Sequence, residues 1–490
     1  MRSRLGRLAV ASLLVLPAAT ARAGAPPEPS PEPDSPAEGD ADQEALEDAL
    51  FDGPVVTEPA AAENQPGENA SEAAEDALFA SPSSPPQAAP EGRFDPLAIG
   101  GQAYLRLTSS VADRGKASAQ RLSMPNLIDL YLDARPDERV RAFVQGRLRY
   151  DPTAIGGQDL LGRPTQPTSA LLDQLWLKTD IGRAVYLTVG QERIKWGASR
   201  LWNPTDFANL ARRDPVAFFD ERVGVPMVKV HVPWETLNVY ALALLGGADH
   251  LGDLAGALRV EWAGASWEVS ASAVAGAGRK TAFGMDLSAA VGPVDVTLEA
   301  ALTDERATPV YSGAFDPAAG LLPTGTPDGR WRPAVSGSVL WSTGVFDNDL
   351  LTLGAEGFWN PIGAPDDSLY AWQLLTGALS PFYLGRAYAA LFAFLPAPGS
   401  WDRWSFNLSA LGNLSDRSGL VRLDAIATLH TRLRLEAFAQ THFGHRGGEF
   451  RFSLDVPELP PIPGVLPDGL AAFQIPAPAV GFGLNLRLSL

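Results

Sequence analysis

The residues of this sequence best suited to chemistry crowd into one stretch, residues 192–224. Arg193, Lys195, Arg200, Arg212, Arg213 and Arg222 are interleaved there with Trp196, Trp202, Phe207, Phe218 and Phe219. A guanidinium is a planar fork matched to a carboxylate, and an aromatic face takes a sugar ring or another flat apolar surface. The set suits recognition of polar or anionic solutes. It equally suits a structural role, in which Arg212 pairs with Asp214, Arg222 pairs with Asp220 and the rings pack beneath the chain. The stretch is long and apolar for a surface connection, and long ordered loops are usually functional.

Little else in the sequence points to bond-making or bond-breaking. The five histidines are His231, His250, His430, His442 and His445. His442 and His445 lie near Glu449, a set able to bind a metal or act as a base. No serine in a nucleophile-elbow pattern goes with them, so a hydrolase is a lesser reading. No catalytic residue, metal site or cofactor is expected. The chain has no cysteine, which excludes disulfides, thiolate zinc sites, a catalytic thiol and a lipid-modified N-terminal cysteine.

The elements around this stretch alternate in polarity over segments of about ten residues, the span of a tilted transmembrane strand. Val140, Ala142, Val144, Gly146 and Leu148 alternate with Arg141, Gln145, Arg147 and Arg149; Val294, Val296, Leu298, Ala300 and Leu302 alternate with Asp295, Thr297, Glu299 and Thr303. Alternation alone does not separate a soluble sandwich from a membrane barrel, but three features favour the barrel. Every second connection is short (135–139, 180–183, 233–236, 263–265, 292–293, 344–349, 396–403, 430–431), as periplasmic turns are. Trp234, Trp262, Trp267, Trp341 and Trp404 sit in or beside such turns, where an interfacial girdle belongs. The chain also ends on an alternating run, Val480 to Leu490, fit to close a sheet that must leave no open edge in lipid.

The pattern predicts an all-β fold over residues 94–490: a single transmembrane antiparallel β-barrel of about 18 strands. The strands are expected near 97–108, 126–134, 140–150, 171–179, 184–191, 225–232, 237–245, 255–262, 266–274, 281–291, 294–303, 332–342, 350–359, 383–395, 403–412, 419–429, 432–442 and 480–490. An even count leaves both termini in the periplasm. That assigns the run Glu449–Asp455 to the last outer loop, 443–479, and not to a strand. The polar faces predict a basic arc near the closure, formed by Arg141, Arg147, Arg149, Arg432, Arg434 and Arg487 with Arg106 and Arg422. Glu268, Asp286, Asp295 and Glu299 would lie across the lumen from it.

The segment before the barrel is of a different kind. Arg2, Arg4 and Arg7, then Leu8–Leu16, then Ala21-Arg22-Ala23 read as a secretory signal over residues 1–23. No later apolar run is long enough for a spanning helix. Residues 24–93 hold 17 acidic residues against the single Arg93, so most of the net charge of −18 sits there. Rich in Pro, Ala, Glu and Ser and poor in apolar residues, this segment is expected to be a disordered periplasmic tail. Within it Glu-Asp-Ala-Leu-Phe occurs twice, ending at Leu50-Phe51 and at Leu78-Phe79. Such a duplicated motif suits a periplasmic protein partner bound with avidity. No basic footprint for nucleic acid is present.

One local resemblance goes with the loop. Gly190-Gln191-Glu192-Arg193-Ile194-Lys195-Trp196-Gly197, then Asn203-Pro204-Thr205-Asp206, Arg213-Asp214-Pro215 and Pro226 resemble the strand–loop–strand segment of large porin-like outer-membrane proteins, including the alginate-export type. Phe358-Trp359-Asn360-Pro361 is similar to a strand end in the same group. The resemblance implies an 18-stranded export or uptake pore in the outer membrane. Read together, these features predict a channel passing polar or anionic small solutes or oligosaccharides through a charged lumen constricted by the 192–224 loop. A non-conducting barrel that anchors the acidic tail is the other reading.

Overall fold

The computed structural model describes residues 96–113, 120–137, 139–157, 165–316, 321–327, 329–345, 349–377, 380–458 and 472–490. The signal, the acidic tail and the Leu50-Phe51 and Leu78-Phe79 motifs lie outside the described residues.

Eighteen strands form the wall: β1 (Leu97–Ala112), β2 (Asn126–Asp137), β3 (Val140–Tyr150), β4 (Thr168–Ile181), β5 (Val185–Glu192) and β6 (Val225–Trp234). Then follow β7 (Leu237–Leu244), β8 (Ala255–Ala263), β9 (Trp267–Gly276), β10 (Ala282–Val291), β11 (Val294–Asp304) and β12 (Trp331–Val345). The last six are β13 (Asp349–Trp359), β14 (Ala387–Pro396), β15 (Trp404–Asn413), β16 (Ser418–His430), β17 (Leu433–Phe443) and β18 (Pro478–Ser489). Each pairs antiparallel with the next. β18 closes on β1 from Gln102↔Ser489 to Ala112↔Pro478. Both ends of the barrel sequence lie on the side of the short turns, as an even count requires.

The alternation reads directly into the two faces. On β11 Leu298 is 49% exposed, while Glu299 beside it is wholly buried. The apolar set therefore faces outward to lipid and the polar set faces the lumen, the reverse of a soluble sandwich. Trp234, Trp262, Trp267 and Trp341 are exposed at the short-turn end, and Trp262 and Trp267 meet edge to face across their turn at 5.1 Å. Gly292-Pro293 is one of the two-residue turns. Gly292 has φ +62°, a left-handed conformation that a residue with a Cβ adopts only at a cost.

Two boundaries differ from the sequence pattern, each for a local reason, and the assignment of residues 449–455 to the last outer loop holds. β1 runs past residue 108 because Gln120–Ser123 folds back and pairs with Thr108–Val111. β14 begins at Ala387 and not at 383. Asn360 Nδ2 donates to the Tyr383 carbonyl at 2.8 Å, which takes that backbone out of the ladder, and Tyr383 and Leu384 are buried in the preceding loop. Residues 449–455 form no barrel strand. A 3-10 turn at Glu449–Arg451 leads into Leu454–Val456, which pairs with Phe473–Ile475 as a separate hairpin.

The two faces make opposite demands, which sets a test. Leu298→Arg puts a cation in lipid near mid-strand and is expected to destabilise the barrel by ~2–4 kcal/mol. Thr297→Arg, one residue away on the lumen face, should cost much less. Urea unfolding of the refolded protein in lipid vesicles compares the two; equal costs would contradict the assignment of faces.

Candidate functional site

β5 and β6 are sheet neighbours, yet the chain joining them, residues 193–224, does not simply turn over the rim. It enters the barrel and touches the wall most of the way round. Ser199 Oγ meets Ser336 Oγ of β12 at 2.9 Å. The Trp202 ring stacks on Phe358 of β13 at 5.9 Å between centroids and lies 5.4 Å from Tyr388 of β14. Phe218 packs on Phe438 of β17 at 6.0 Å, and Phe219 stacks on Tyr104 of β1 at 4.7 Å. Glu221 then reaches Arg106 of β1 at 2.6 Å and Arg149 of β3 at 2.9 Å. From its root at β5 the loop thus crosses close to the far side of an 18-strand ring and returns.

Two wall carboxylates hold it there. Glu356 of β13 accepts from the backbone N–H groups of Arg200 (3.1 Å), Leu201 (3.1 Å) and Trp202 (2.9 Å). Glu299 of β11 accepts from Ser199 N (2.6 Å), Asn203 Nδ2 (3.0 Å), Thr205 N (3.3 Å) and Thr205 Oγ1 (2.7 Å). A hydrogen bond to a charged group contributes ~1.5–3 kcal/mol. Three or four of them therefore offset the several kcal/mol that burying a carboxylate costs. The approach is close enough to select glycine: at Gly197, φ +97°, a Cβ would stand 2.6 Å from the Glu299 carboxylate.

The loop is also tied to itself and to its root. Asp206 accepts from Asn209 Nδ2 at 2.8 Å and from Arg222 Nη1 at 2.7 Å, joining its middle to its end. Arg222 binds Asp220 at 2.6 Å. Burial resists ionisation of Asp220, but the hydrogen bonds and charge of Arg222 more than offset it and hold the carboxyl at about 2. A carboxyl depressed in this way stabilises the loop at all pH above the ordinary carboxyl range and loses that effect only as pH falls toward about 2. Burial likewise opposes ionisation of Glu221, but the neighbouring Arg106, then Arg149 and Arg147, keep it below its usual range. At the root Arg193 is ion-paired with Asp173 of β4, which also binds Arg147 of β3 at 3.0 Å.

The other loop residues fall into two groups. Trp196 and Trp202 are buried, with Arg259 of β8 set 5.9 Å from the Trp196 ring centroid. Lys195 is half-buried at the loop's first bend. Arg200 lies over Phe392 of β14 at 5.4 Å, and Arg213 Nη1 donates to the Arg200 carbonyl at 3.2 Å. Of the two local pairings expected, Asp220–Arg222 forms and Arg212–Asp214 does not. Asp214 accepts from Val216 N at 3.0 Å, while Arg212 is exposed and set 5.5 Å from the Tyr383 ring centroid.

The lumen arc carries anions of its own. Arg141 binds Asp133 at 3.0 Å, Arg147 binds Asp129 at 2.8 Å, and Arg422 binds Asp424 at 2.7 Å. Arg149 is held by Glu221. Arg487 is buried on β18, 5.6 Å from the Tyr104 ring centroid, and Arg434 is half-buried on β17. Arg432 stands in the two-residue turn before β17, exposed at the short-turn rim and outside the lumen wall. Across the barrel Asp286 is bound by Arg259 at 2.8 Å, and Glu299 is occupied by the loop. Local pairing thus cancels much of the transverse asymmetry that the sequence suggests.

Above the loop, at the long-loop end, lies a cavity of about 620 Å³ lined by Leu210, Arg212, Phe219, Glu221, Pro226 and Arg279 among others. Arg279 donates to the Phe207 carbonyl at 3.0 Å. Partial burial pushes its guanidinium below its ordinary value, with Asp206 opposing the shift. Among the described residues neither Arg212 nor Arg279 has a salt-bridge partner, so the cavity presents two cations not neutralised in place.

The histidine set at the outer rim does not converge. His442 Nδ1 faces the Phe450 carbonyl at 2.8 Å, His445 meets Asp367 at 3.1 Å, and Glu449 accepts from the Tyr388 hydroxyl at 2.6 Å. Among the described residues no group of His, Cys, Asp and Glu side chains is placed to hold a metal ion.

No family model matches the chain, and no curated protein does. Solved structures of similar form include the outer-membrane protein OpdK of Pseudomonas aeruginosa (10% identity, TM-score 0.45, 80% of this chain and 98% of that one). OccAB1 of Acinetobacter baumannii (9%, 0.48, 83% and 99%) and OprB of Pseudomonas putida (11%, 0.43, 80% and 94%) are others. The chain is a closed 18-strand transmembrane β-barrel. Its closed sheet, lipid-facing apolar belt and girdle carry that statement; at this similarity the neighbours share form alone. Glu356 and Asp173 were not marked by the sequence, although Glu356 is the only charge between Asp349 and Asp366.

If the wall carboxylates hold the loop, removing one should free it without opening the barrel. Glu356→Ala strands three loop donors, each at ~1–3 kcal/mol if left unpaired. Trypsin is then expected to cut at Arg200 in the folded variant and not in the parent. Protection of Arg200 in that variant would contradict the anchoring role.

Proposed function

We propose that this protein is a channel for small polar and anionic solutes, with passage set by the 193–224 loop across its lumen. The observation that carries this reading is the loop's path. A barrel of 18 strands is wide enough for an aqueous lumen, and here one connection is pinned inside it by contacts to strands on opposite sides. Pinning a long backbone in the lumen serves little purpose in a simple anchor, where an outer loop suffices.

Arg212 and Arg279, lacking ion-pair partners at the outer cavity, favour an anion. Its volume, about 620 Å³, falls in the range of small-molecule sites. The resemblance to the alginate-export type suggests a polyuronate, but a long polyanion requires a continuous basic track. The paired charges along this lumen favour short acids or oligosaccharides over such a chain. A second reading is carried by the duplicated Leu50-Phe51 and Leu78-Phe79 motif: the barrel anchors an acidic tail that recruits a periplasmic protein. Deleting residues 24–93 separates the two, because transport then survives and recruitment does not.

The direct measurement is conductance of the refolded protein in a planar bilayer with a salt gradient across it. Open channels are expected, with a reversal potential favouring anions. Arg212→Ala combined with Arg279→Ala should shift that potential toward cations, and removal of residues 208–217 should raise conductance severalfold. Silent insertions of both the parent and the shortened-loop variant would overturn the channel reading.

A further inference from the structure

The last outer loop is built into the same aromatic cluster as the constriction. Phe450 is buried against Trp202, Phe358, Tyr383 and Tyr388, with Phe382 beside them. Trp202 Nε1 donates to the Phe382 carbonyl at 3.1 Å, and Phe382 meets Phe450 edge to face at 5.7 Å. One cluster therefore joins three connections: 193–224, 360–386 and the first part of 444–477. What seats Phe450 is polar. Phe450 N donates to Ser418 Oγ at 3.0 Å and Glu449 N to Asp416 Oδ2 at 2.8 Å. The Glu449 carboxyl accepts from Tyr388 Oη (2.6 Å), Asn413 Nδ2 (2.9 Å) and Leu384 N (3.3 Å).

The groups facing Glu449 come from every element packed on it. They are Tyr388 from β14, Asn413 from β15, Asp416 from the turn between β15 and β16, and Tyr370, whose hydroxyl accepts from Asn413 Nδ2 at 2.9 Å. At the outer end of β17 His442 stands beside the same turn, its Nδ1 2.8 Å from the Phe450 carbonyl. Burial pushes its imidazole below its ordinary value, so it stays neutral as Glu449 titrates. Among the described residues no cation reaches Glu449. Burial, with the Asp416 carboxyl alongside and no cation between, makes Glu449 resist ionisation.

We propose that residues 444–452 are a latch on the constriction. Glu449 and Phe450 hold Tyr388 and Trp202 in place, and the protonation state of Glu449 decides whether the latch stays seated. This rests on the channel reading of the 193–224 loop. Burial, opposed by the hydrogen bonds of Tyr388, Leu384 and Asn413, pushes the Glu449 carboxyl up to about 7. A carboxyl raised in the seated state binds its proton more tightly there than when released. The seated state is therefore most favoured below the ordinary carboxyl value and loses that advantage as pH climbs through about 7. The latch closes in acid and loosens in alkali, whereas the Asp220–Arg222 ties of the loop stay ionised across the whole interval.

Two readouts on the full chain test this. Hydrogen exchange followed by mass spectrometry, corrected for intrinsic rate, reports seating through the Glu449 and Phe450 amides. Protection of 446–452 should fall at least several-fold between about pH 5.5 and pH 8.5 while the strands keep theirs. Glu449→Gln, neutral at every pH, should keep that protection unchanged with pH. Conductance of the parent should rise over the same interval, and that of Glu449→Gln should stay low and flat. A parent whose 446–452 protection does not change with pH, or a Glu449→Gln variant that changes as the parent does, overturns the latch. A pH-dependent parent and a flat variant in exchange, with silent bilayers throughout, uphold the latch and overturn the channel.

Discussion

A backbone polar group kept from water needs a partner, and this constraint shapes the protein twice. Around the outside, lipid offers no hydrogen bonds, so the sheet closes on itself with β18 against β1 and leaves no edge. Inside, the 193–224 loop is folded into a crowded lumen with no strand to pair with. Its amide groups go to side chains instead, those of residues 199–202 and 205 to Glu299 and Glu356. The wall strands thus supply two kinds of acceptor, carbonyls for each other and carboxylates for the loop. A loop without such acceptors would sit at the rim, where water satisfies it.

Charge follows the same division. Glu299 and Glu356 face N–H groups; Asp129, Asp173, Asp206, Asp220 and Glu221 face arginines. The first set fixes where the loop lies, and the second stiffens its two ends. Arg147 shows how closely packed this is: its wholly buried side chain joins Asp129 and Asp173 on adjacent strands and the Glu221 carbonyl of the loop. Much of the lumen charge is thus consumed in pairs.

The barrel was legible in the sequence because strand alternation is a repeating signal: each segment is weak alone, but eighteen of them agree with the turn lengths and the tryptophans. The loop was legible only as a region. Its composition marked it, and Asn203-Pro204-Thr205-Asp206 drew attention as a motif. Nothing in the sequence showed that Asn203 and Thr205 bind Glu299 while Asp206 binds Arg222. Those contacts join residues nearly a hundred positions apart, or reach back across the loop itself, and no local periodicity encodes them. Arg432 was misplaced for a related reason. Its neighbour Arg434 lies on a strand, and the two-residue turn before β17 left the boundary ambiguous by one position, enough to move a side chain from the lumen wall to the rim.

Trp202 links these observations to motion. Its backbone is held by Glu356, its ring by Phe358 and Tyr388, and its indole N–H by the Phe382 carbonyl, so no single contact fixes it. A side chain held by several elements moves only when they move together. The hydrogen bonds to Glu356 come from one rigid strand and give the constriction its default position. The aromatic side of the site includes Phe450, carried on a loop whose turn is held through the Glu449 carboxyl. On the latch proposed above, the wall sets where the loop stands and the outer loops how firmly it stands there, while the barrel remains unchanged.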